Sequence, residues 1–313
     1  MEHEVEISII CNTYNQDHYI SDALQGFVNQ KVSVPFEVLV HDDASTDNTA
    51  AIIKAYELKY PDLIKPLYQT ENQYSRGVNI TTTYQIPRAK GKYIALCEGD
   101  DYWTDSSKLQ KQYDSMENHD NVDICAHQVT KVSSTSGKIL DTIAPSNKET
   151  IFDVSTVIKG GGGFVSTNSL FLRKSLYDNI PQFYRTANID YALQIWGALR
   201  GGMLYLPDNM GIYRALVKNS WSCRMSNPTF AQKQQEKLVK MLDILDCETN
   251  HIYEHEIEIA KLDTEFYCMA MADNYKELRK GKYHDLYASK PISWRLKTYI
   301  KQYCPLFVKL CRK

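Results

Sequence analysis

The sequence predicts an α/β fold: a mostly parallel sheet with helices on its faces, followed by a helical extension. Three observations predict it. Short β-rich apolar runs alternate with segments of helical period over the first 125 residues, the pattern of parallel strands joined by crossover helices. The runs at 5–11, 36–40 and 92–97 each end in a polar cluster, and open α/β sheets bind ligands beyond the carboxyl ends of their strands. From residue 228 onward the chain reads as helical.

Each element follows from local pattern. Residues 5–11 are a buried strand, and Ile20, Leu24, Phe27 and Val28 then recur at helical spacing. FEVLV at 36–40 is a second strand that runs into HDDASTDNT, and the helix near 49–60 ends at Pro61. Residues 64–68 form a third strand. Residues 78–89 read as helical, with Pro87 ending them early. The strand at 92–97 leads into EGDDYW, and Leu109, Tyr113 and Met116 mark the next helix. After residue 125 the pattern changes. Residues 131–150 read as polar loop, 169–172 as strand, 190–200 as helix, and 203–206 and 210–213 as two short strands. No internal repeat is seen.

Composition excludes several classes. The 313 residues suit one large domain or two coupled ones. A hydrophobic fraction of 43% argues against long disorder, and a formal charge of -2 gives no global case for nucleic-acid binding. The cysteines form no CxxC pair, and several lie in apolar runs. They are expected to pack as small hydrophobes in a reducing cytosol. The acidic start MEHEVEISII is not expected to act as a secretory signal, and no apolar run approaches the ~20 residues of a membrane span.

The polar clusters carry the chemistry. They are Asn12-Thr13-Tyr14-Asn15 after the first strand, Asp42-Asp43 with Ser45, Thr46 and Asp47 after the second, and Glu98-Gly99-Asp100-Asp101 after the run at 92–97. Alone, the second reads as an N-cap or turn and the third as a solvated acidic turn. Together at corresponding strand ends they would converge on one crevice. Glu98, Asp100 and Asp101 offer hard oxygen ligands suited to Mg²⁺ or Mn²⁺, which could clamp a diphosphate.

Three segments in order, ISIICNTYNQ, VLVHDDASTDNT and ALCEGDDYW, with NID at 188–190, resemble the motifs of the family 2 glycosyltransferases. The resemblance covers roughly residues 5–222. It implies a GT-A, Rossmann-like fold and transfer, with inversion, from a nucleotide-diphosphate sugar to an acceptor hydroxyl. It favours UDP as the nucleotide, a divalent metal as cofactor, and a role in cell-surface polysaccharide or glycan synthesis. By resemblance Thr13, Tyr14 and Asn15 line the nucleotide site, and Asp43 hydrogen-bonds the base. Glu98, Asp100 and Asp101 bind the metal and the donor, and Asp190 is the general base. Asp190 also reads as a plain helix N-cap before YALQIW. The expected organisation is a nucleotide-sugar-binding half over 1–125, an acceptor-binding half over 126–225, and a helical region over 226–313.

Two positions depart from the family pattern. Glu98 stands where the metal motif begins with Asp, and Leu216 stands where a His often follows the Tyr213-Arg214 pair. Arg214, Lys218 or Trp221 would compensate at the diphosphate or acceptor; otherwise Arg214 is a structural ion pair and Trp221 core. The glycines at 160–163 are a connector or a close backbone approach, and not a phosphate loop, since no GK[ST] follows. Residues 290–313 hold seven basic and no acidic residues among apolar ones. This suits an anionic membrane surface and a lipid-linked saccharide acceptor, with a packed terminal helix as the plain alternative. The helical region is expected to serve homo-oligomerisation, membrane docking or both. A non-catalytic nucleotide-sugar-binding or assembly subunit stays open at this point. A sugar nucleotidyltransferase is disfavoured, because CNTYNQDHY lacks a Gly-rich basic loop.

Overall fold

The computed structural model describes residues 4–217, 220–225 and 227–303. It divides into two compact units, Met1–Val217 and Lys218–Lys313. The first unit runs β1 (Ile7–Thr13), α1 (Ile20–Val28), β2 (Phe36–Asp42), α2 (Thr49–Lys59), β3 (Ile64–Tyr68), β4 (Tyr93–Leu96), β5 (Tyr102–Trp103) and α3 (Lys108–Glu117). It continues with β6 (Ile124–Ser133), β7 (Ile139–Ile143), β8 (Thr150–Phe152), α4 (Val154–Gly160), β9 (Phe171–Arg173), α5 (Gln182–Ala187), α6 (Asp190–Ala198) and β10 (Met203–Ala215).

All ten strands join one sheet with the path β3-β2-β1-β4-β9-β6-β10-β5. Its first four strands are parallel, with Ile7 opposite Phe36 and Tyr93. Beyond them β9 enters antiparallel between β4 and β6, so the sheet becomes mixed. The parallel part follows from sequence: β1 is a β-branched run whose residues from Ile7 to Cys11 are buried, as strands covered on both faces must be. On α1, Ile20, Ala23, Leu24 and Phe27 face the core at the spacing of one helix face. Phe27 meets Trp103 edge-on at 4.9 Å. Gly91 lets the chain enter β4 tight against β1, for a Cβ there would lie 2.5 Å from the Ser8 amide nitrogen. Cys11, Cys97 and Cys125 pack in the core.

Three segments differ from expectation. Residues 131–150 hold strands: the end of β6, then β7 on the sheet's flank with Ile139 and Leu140 exposed. Backbone pairing makes this hairpin, so it leaves no apolar alternation to read. The segment 78–89 forms a π turn at Thr81–Gln85 and a 3-10 turn at Ile86–Arg88 instead of a regular helix. Gln85 is fully buried there and donates to Leu39 O at 3.0 Å and Asn12 Oδ1 at 3.2 Å, which ties the turn to β1 and β2. The two short strands near 203–213 are one strand, β10, with register shifts at Leu206, Asn209 and Gly211. The extra residues of this bulge accommodate Pro207, which has no amide to give the ladder.

The second unit is helical: α7 (Trp221–Arg224), α8 (Pro228–Glu248), α9 (Glu254–Met271), α10 (Tyr275–Leu278), α11 (His284–Ser289) and α12 (Ile292–Tyr303). Asn227 caps α8 by accepting from the Phe230 amide, with Pro228 in the first turn. Phe266, Tyr275 and Leu278 form a small core that Trp294 joins. Among the described residues, no helix is long and apolar enough to cross a membrane.

Candidate active site

Parallel pairing of β1 with β2 and β4 puts their carboxyl ends side by side, and the three polar clusters meet there. Asp43 N donates to Thr13 O at 3.0 Å, and Gly99 N donates to Asn12 O at 3.0 Å. The loops are therefore stitched by main chain before any side chain acts. Gly99 is required at this crossing: a Cβ would lie 2.4 Å from Gln16 Oε1 and 2.8 Å from Thr13 Oγ1.

The nucleotide-facing residues divide by exposure and bonding. Tyr14 is 43% exposed and presents its ring to solvent. Thr13 is buried and donates to Gln16 Oε1 at 2.7 Å. Asn15 takes a left-handed φ of 53°, which Asn tolerates. Its amide nitrogen donates to Ser45 Oγ and its Oδ1 accepts from Thr46 N at 2.7 Å, so it binds the first loop to the second. Asp43 accepts from Gln73 N at 2.8 Å and Tyr74 N at 3.0 Å, one on each oxygen. It thereby anchors the 72–76 segment beside the site, and each oxygen keeps a further lone pair for a donor.

The acidic cluster is half-buried and strained by charge. Burial, and then the charges of Asp100 and Asp190, push Glu98 up to about 8, against a hydrogen bond from Asn12 that pulls it down. Burial also raises Asp100, opposed by Arg214 and by Gln16. Asp101 is driven up by burial and Asp100, and its Oδ1 accepts the Arg214 amide at 2.8 Å. It is 4% exposed, so of the three carboxylates expected to ligate a metal it is the one engaged with the β10 backbone. Among the described residues no three His, Cys, Asp or Glu side chains are grouped to hold a metal ion by themselves. Glu98 and Asp100 fit the other mode, in which a hard cation takes one or two carboxylates and completes its shell with phosphate and water. A cation there would offset the burial and the neighbouring charges that raise Glu98.

Asp190 belongs to the same crevice, since its charge acts on Glu98. It is not the N-cap of α6. That position is Ile189, and Asp190 is the first helical residue. Its carboxylate accepts from Thr167 Oγ1. Asn188, at φ 50°, closes α5 and accepts from Asn79, which turns the chain so that Asp190 leads α6.

Arg214 lines the rear of the cluster. Its guanidinium pairs with Asp22, donates to Asp100 O at 2.9 Å and lies 4.3 Å from the Tyr102 ring centre. The structural ion pair is thus present, and Arg214 reaches Asp100 through main chain. Leu216, at φ 62°, is 60% exposed just after β10. Trp221 is half-exposed at the start of α7 in the second unit and is not among the residues that the first unit assembles. Lys218 lies outside the described residues. Gly161, at φ 66°, is the C-cap of α4, so the glycine run closes that helix.

Sequence reasoning missed Gln16, Asn12 and Thr167 as supports. Asn12 opens the NTYN stretch, where it was noted without a role, and Gln16 directly follows that stretch. Thr167 lies 23 residues from Asp190 with no local signal.

The sequence profile described as Glycosyl transferase family 2 matches residues 8–180. An uncharacterised Mycobacterium tuberculosis protein is 36% identical over 216 residues, 69% of this chain and 60% of that protein. The chain therefore spans less than two thirds of that relative's length. A Bacillus spizizenii poly(ribitol-phosphate) beta-glucosyltransferase is 31% identical over 119 residues, 38% of this chain and 18% of that protein. Among solved structures, Staphylococcus aureus TarS in complex with UDP-GlcNAc superposes with a TM-score of 0.61 at 16% identity, over 90% of this chain and 78% of that one. A Pyrobaculum calidifontis mannosyltransferase with GDP-Man and Mn²⁺ superposes with a TM-score of 0.57 at 14% identity, over 97% and 82%. These neighbours share the GT-A fold. With its sheet order, its three stitched loops and a profile match over more than half its length, this chain belongs to glycosyl transferase family 2.

Proposed function

We propose that the protein transfers a sugar from a nucleotide-diphosphate sugar, with UDP favoured, to a saccharide hydroxyl with inversion at the anomeric carbon. The observation that carries this is the meeting of Glu98 and Asp100, on the loop after β4, with Asp190 at the start of α6, whose charge acts on Glu98. Such a crevice is ready for a cationic or proton-bearing guest.

The roles follow from position. Tyr14 offers a ring to the base, and Asp43 with the 72–76 segment supplies its hydrogen-bonding wall. Glu98 and Asp100 would hold Mg²⁺ or Mn²⁺, and such an ion would supply positive charge to the leaving diphosphate. Asp101 and Arg214 position Asp100 from behind. Asp190, oriented by Thr167, takes the proton of the acceptor hydroxyl. The acceptor oxygen forms the new bond to the anomeric carbon as the bond to the diphosphate breaks, and the diphosphate leaves with its electron pair.

The expected setting is the cytoplasm, building a surface polysaccharide or glycan on a lipid-linked acceptor. The likeness to a poly(ribitol-phosphate) beta-glucosyltransferase supports a polymer product. Calorimetric titration with UDP, GDP and CDP, each with and without Mn²⁺, tests the donor site. One nucleotide should bind in a metal-dependent way and weaken in Asp100→Ala. No binding of any nucleotide by folded protein would count against the assignment and favour a non-catalytic assembly subunit.

A further inference from the structure

Helix α12 carries large apolar side chains on its outer face. Its inner face is satisfied: Trp294 packs against Phe266, Tyr275 and Tyr287, and Thr298 is buried. Ile292 is 75% exposed, Leu296 58%, Tyr299 54% and Tyr303 55%. Steps of four, three and four residues at ~100° each keep these side chains on one stripe. The rings of Tyr299 and Tyr303 lie 4.6 Å apart, and the Arg279 guanidinium sits 5.0 Å and 5.6 Å from them.

The segment that carries this stripe is basic: residues 290–313 contain no acid. Arg295, three residues after Ile292, flanks the stripe on α12, and the Arg279 guanidinium, at the end of α10, lies beside its tyrosine rings. Asp273, between α9 and α10, is engaged by Lys301 at 3.6 Å and by Tyr275. An apolar stripe with tyrosines and a basic rim matches an interface between anionic headgroups and acyl chains. It matches a second copy of itself poorly, because a two-fold contact would set one basic rim against another of the same sign.

We propose that this face of α12 docks on an anionic bilayer, with Ile292, Leu296, Tyr299 and Tyr303 in the headgroup–acyl boundary and Arg279 and Arg295 at lipid phosphates. The proposal rests on the reading of a membrane-borne acceptor only for its purpose; the surface stands on its own. Docking would bring the enzyme onto the surface where a lipid-carried acceptor lies, so its substrate search becomes two-dimensional.

Flotation of the full chain with phosphatidylcholine vesicles, and with the same vesicles containing phosphatidylglycerol, tests it. Binding is expected only to the anionic vesicles and should fall with added salt. Leu296→Ser with Tyr299→Ser should lower the partition coefficient roughly tenfold. These side chains are exposed, so circular dichroism and nucleotide titration of the variants should match the parent, which separates failure of docking from failure of the donor site. Absence of vesicle binding, binding without regard to lipid charge, or binding retained by the double variant would overturn the proposal. So would a dimer that the double variant dissociates while vesicles stay unbound, because the stripe would then be a self-association face.

Discussion

In the first unit charge is drawn out of water; in the second, apolar surface is left in it. Glu98, Asp100 and Asp101 crowd together beyond β4, and burial raises all three. Ile292, Leu296, Tyr299 and Tyr303 stand exposed along α12 while Trp294 and Thr298 beside them are packed. Each arrangement is the reverse of what stability alone favours. The difference teaches where to look for a partner. On the proposals above, the buried like charges take a cation and a phosphate, and the solvent-facing apolar stripe takes an amphipathic anionic surface. Local-rule violations of this kind concentrate at functional sites.

The comparison can be broken at its catalytic end first. Asp190→Asn keeps the size and the contact with Thr167 but removes the proton acceptor. Turnover should fall by about 10²–10⁴ with nucleotide affinity kept, and unchanged turnover in a steady-state assay would remove Asp190 from the chemistry. Gly99→Ala comes next. The added methyl would overlap Thr13 and Gln16, so thermal or denaturant unfolding should register a loss of ~1–3 kcal/mol, with weaker nucleotide binding because the acidic loop must shift.

A third variant asks whether buried charge in this unit always serves the site. Lys108 is fully buried, its Nζ has no hydrogen-bond partner, and it lies 3.7 Å from the Trp103 ring centre. Burial lowers its pKa to about 7 from 10.5. Between those values the unfolded chain binds more protons, so stability should rise with pH through that window and sit at its floor below 7. Lys108→Met should flatten that rise and add ~2 kcal/mol at neutral pH. A variant that is less stable at pH 7 and keeps the rise would assign Lys108 a partner instead. The smallest effect is at Ala44, held at φ 62° between the second strand and its helix. Ala44→Gly should stabilise by ~0.5–1 kcal/mol without altering turnover, as glycine carries no Cβ penalty there.

Much of this was legible in the chain because it is local. The strands β1, β2 and β4 announce themselves as short buried apolar runs, and α1 by the spacing of Ile20, Leu24 and Phe27. The polar clusters could be located for the same reason, since each immediately follows its strand. The hairpin of β6 and β7 was not legible. Its pairing is made by backbone groups, and the side chains of β7 are exposed, so that strand carries no burial pattern. The π turn at Thr81–Gln85 was hidden likewise, because it brings Gln85 to β1 and β2, which are far away in sequence.

The sequence by itself determined the α/β class, the order of the motifs and the identity of the carboxylates, because strand and helix periods and residue chemistry are properties of neighbours along the chain. Tertiary structure alone decided what each carboxylate does. Asp101 turns to the amide of Arg214, Asp43 holds Gln73 and Tyr74, and Asp190 meets Thr167 rather than capping its own helix. Those partners come from separate elements, and a hydrogen bond is a matter of direction and of distances near 3 Å, which no spacing along the sequence records.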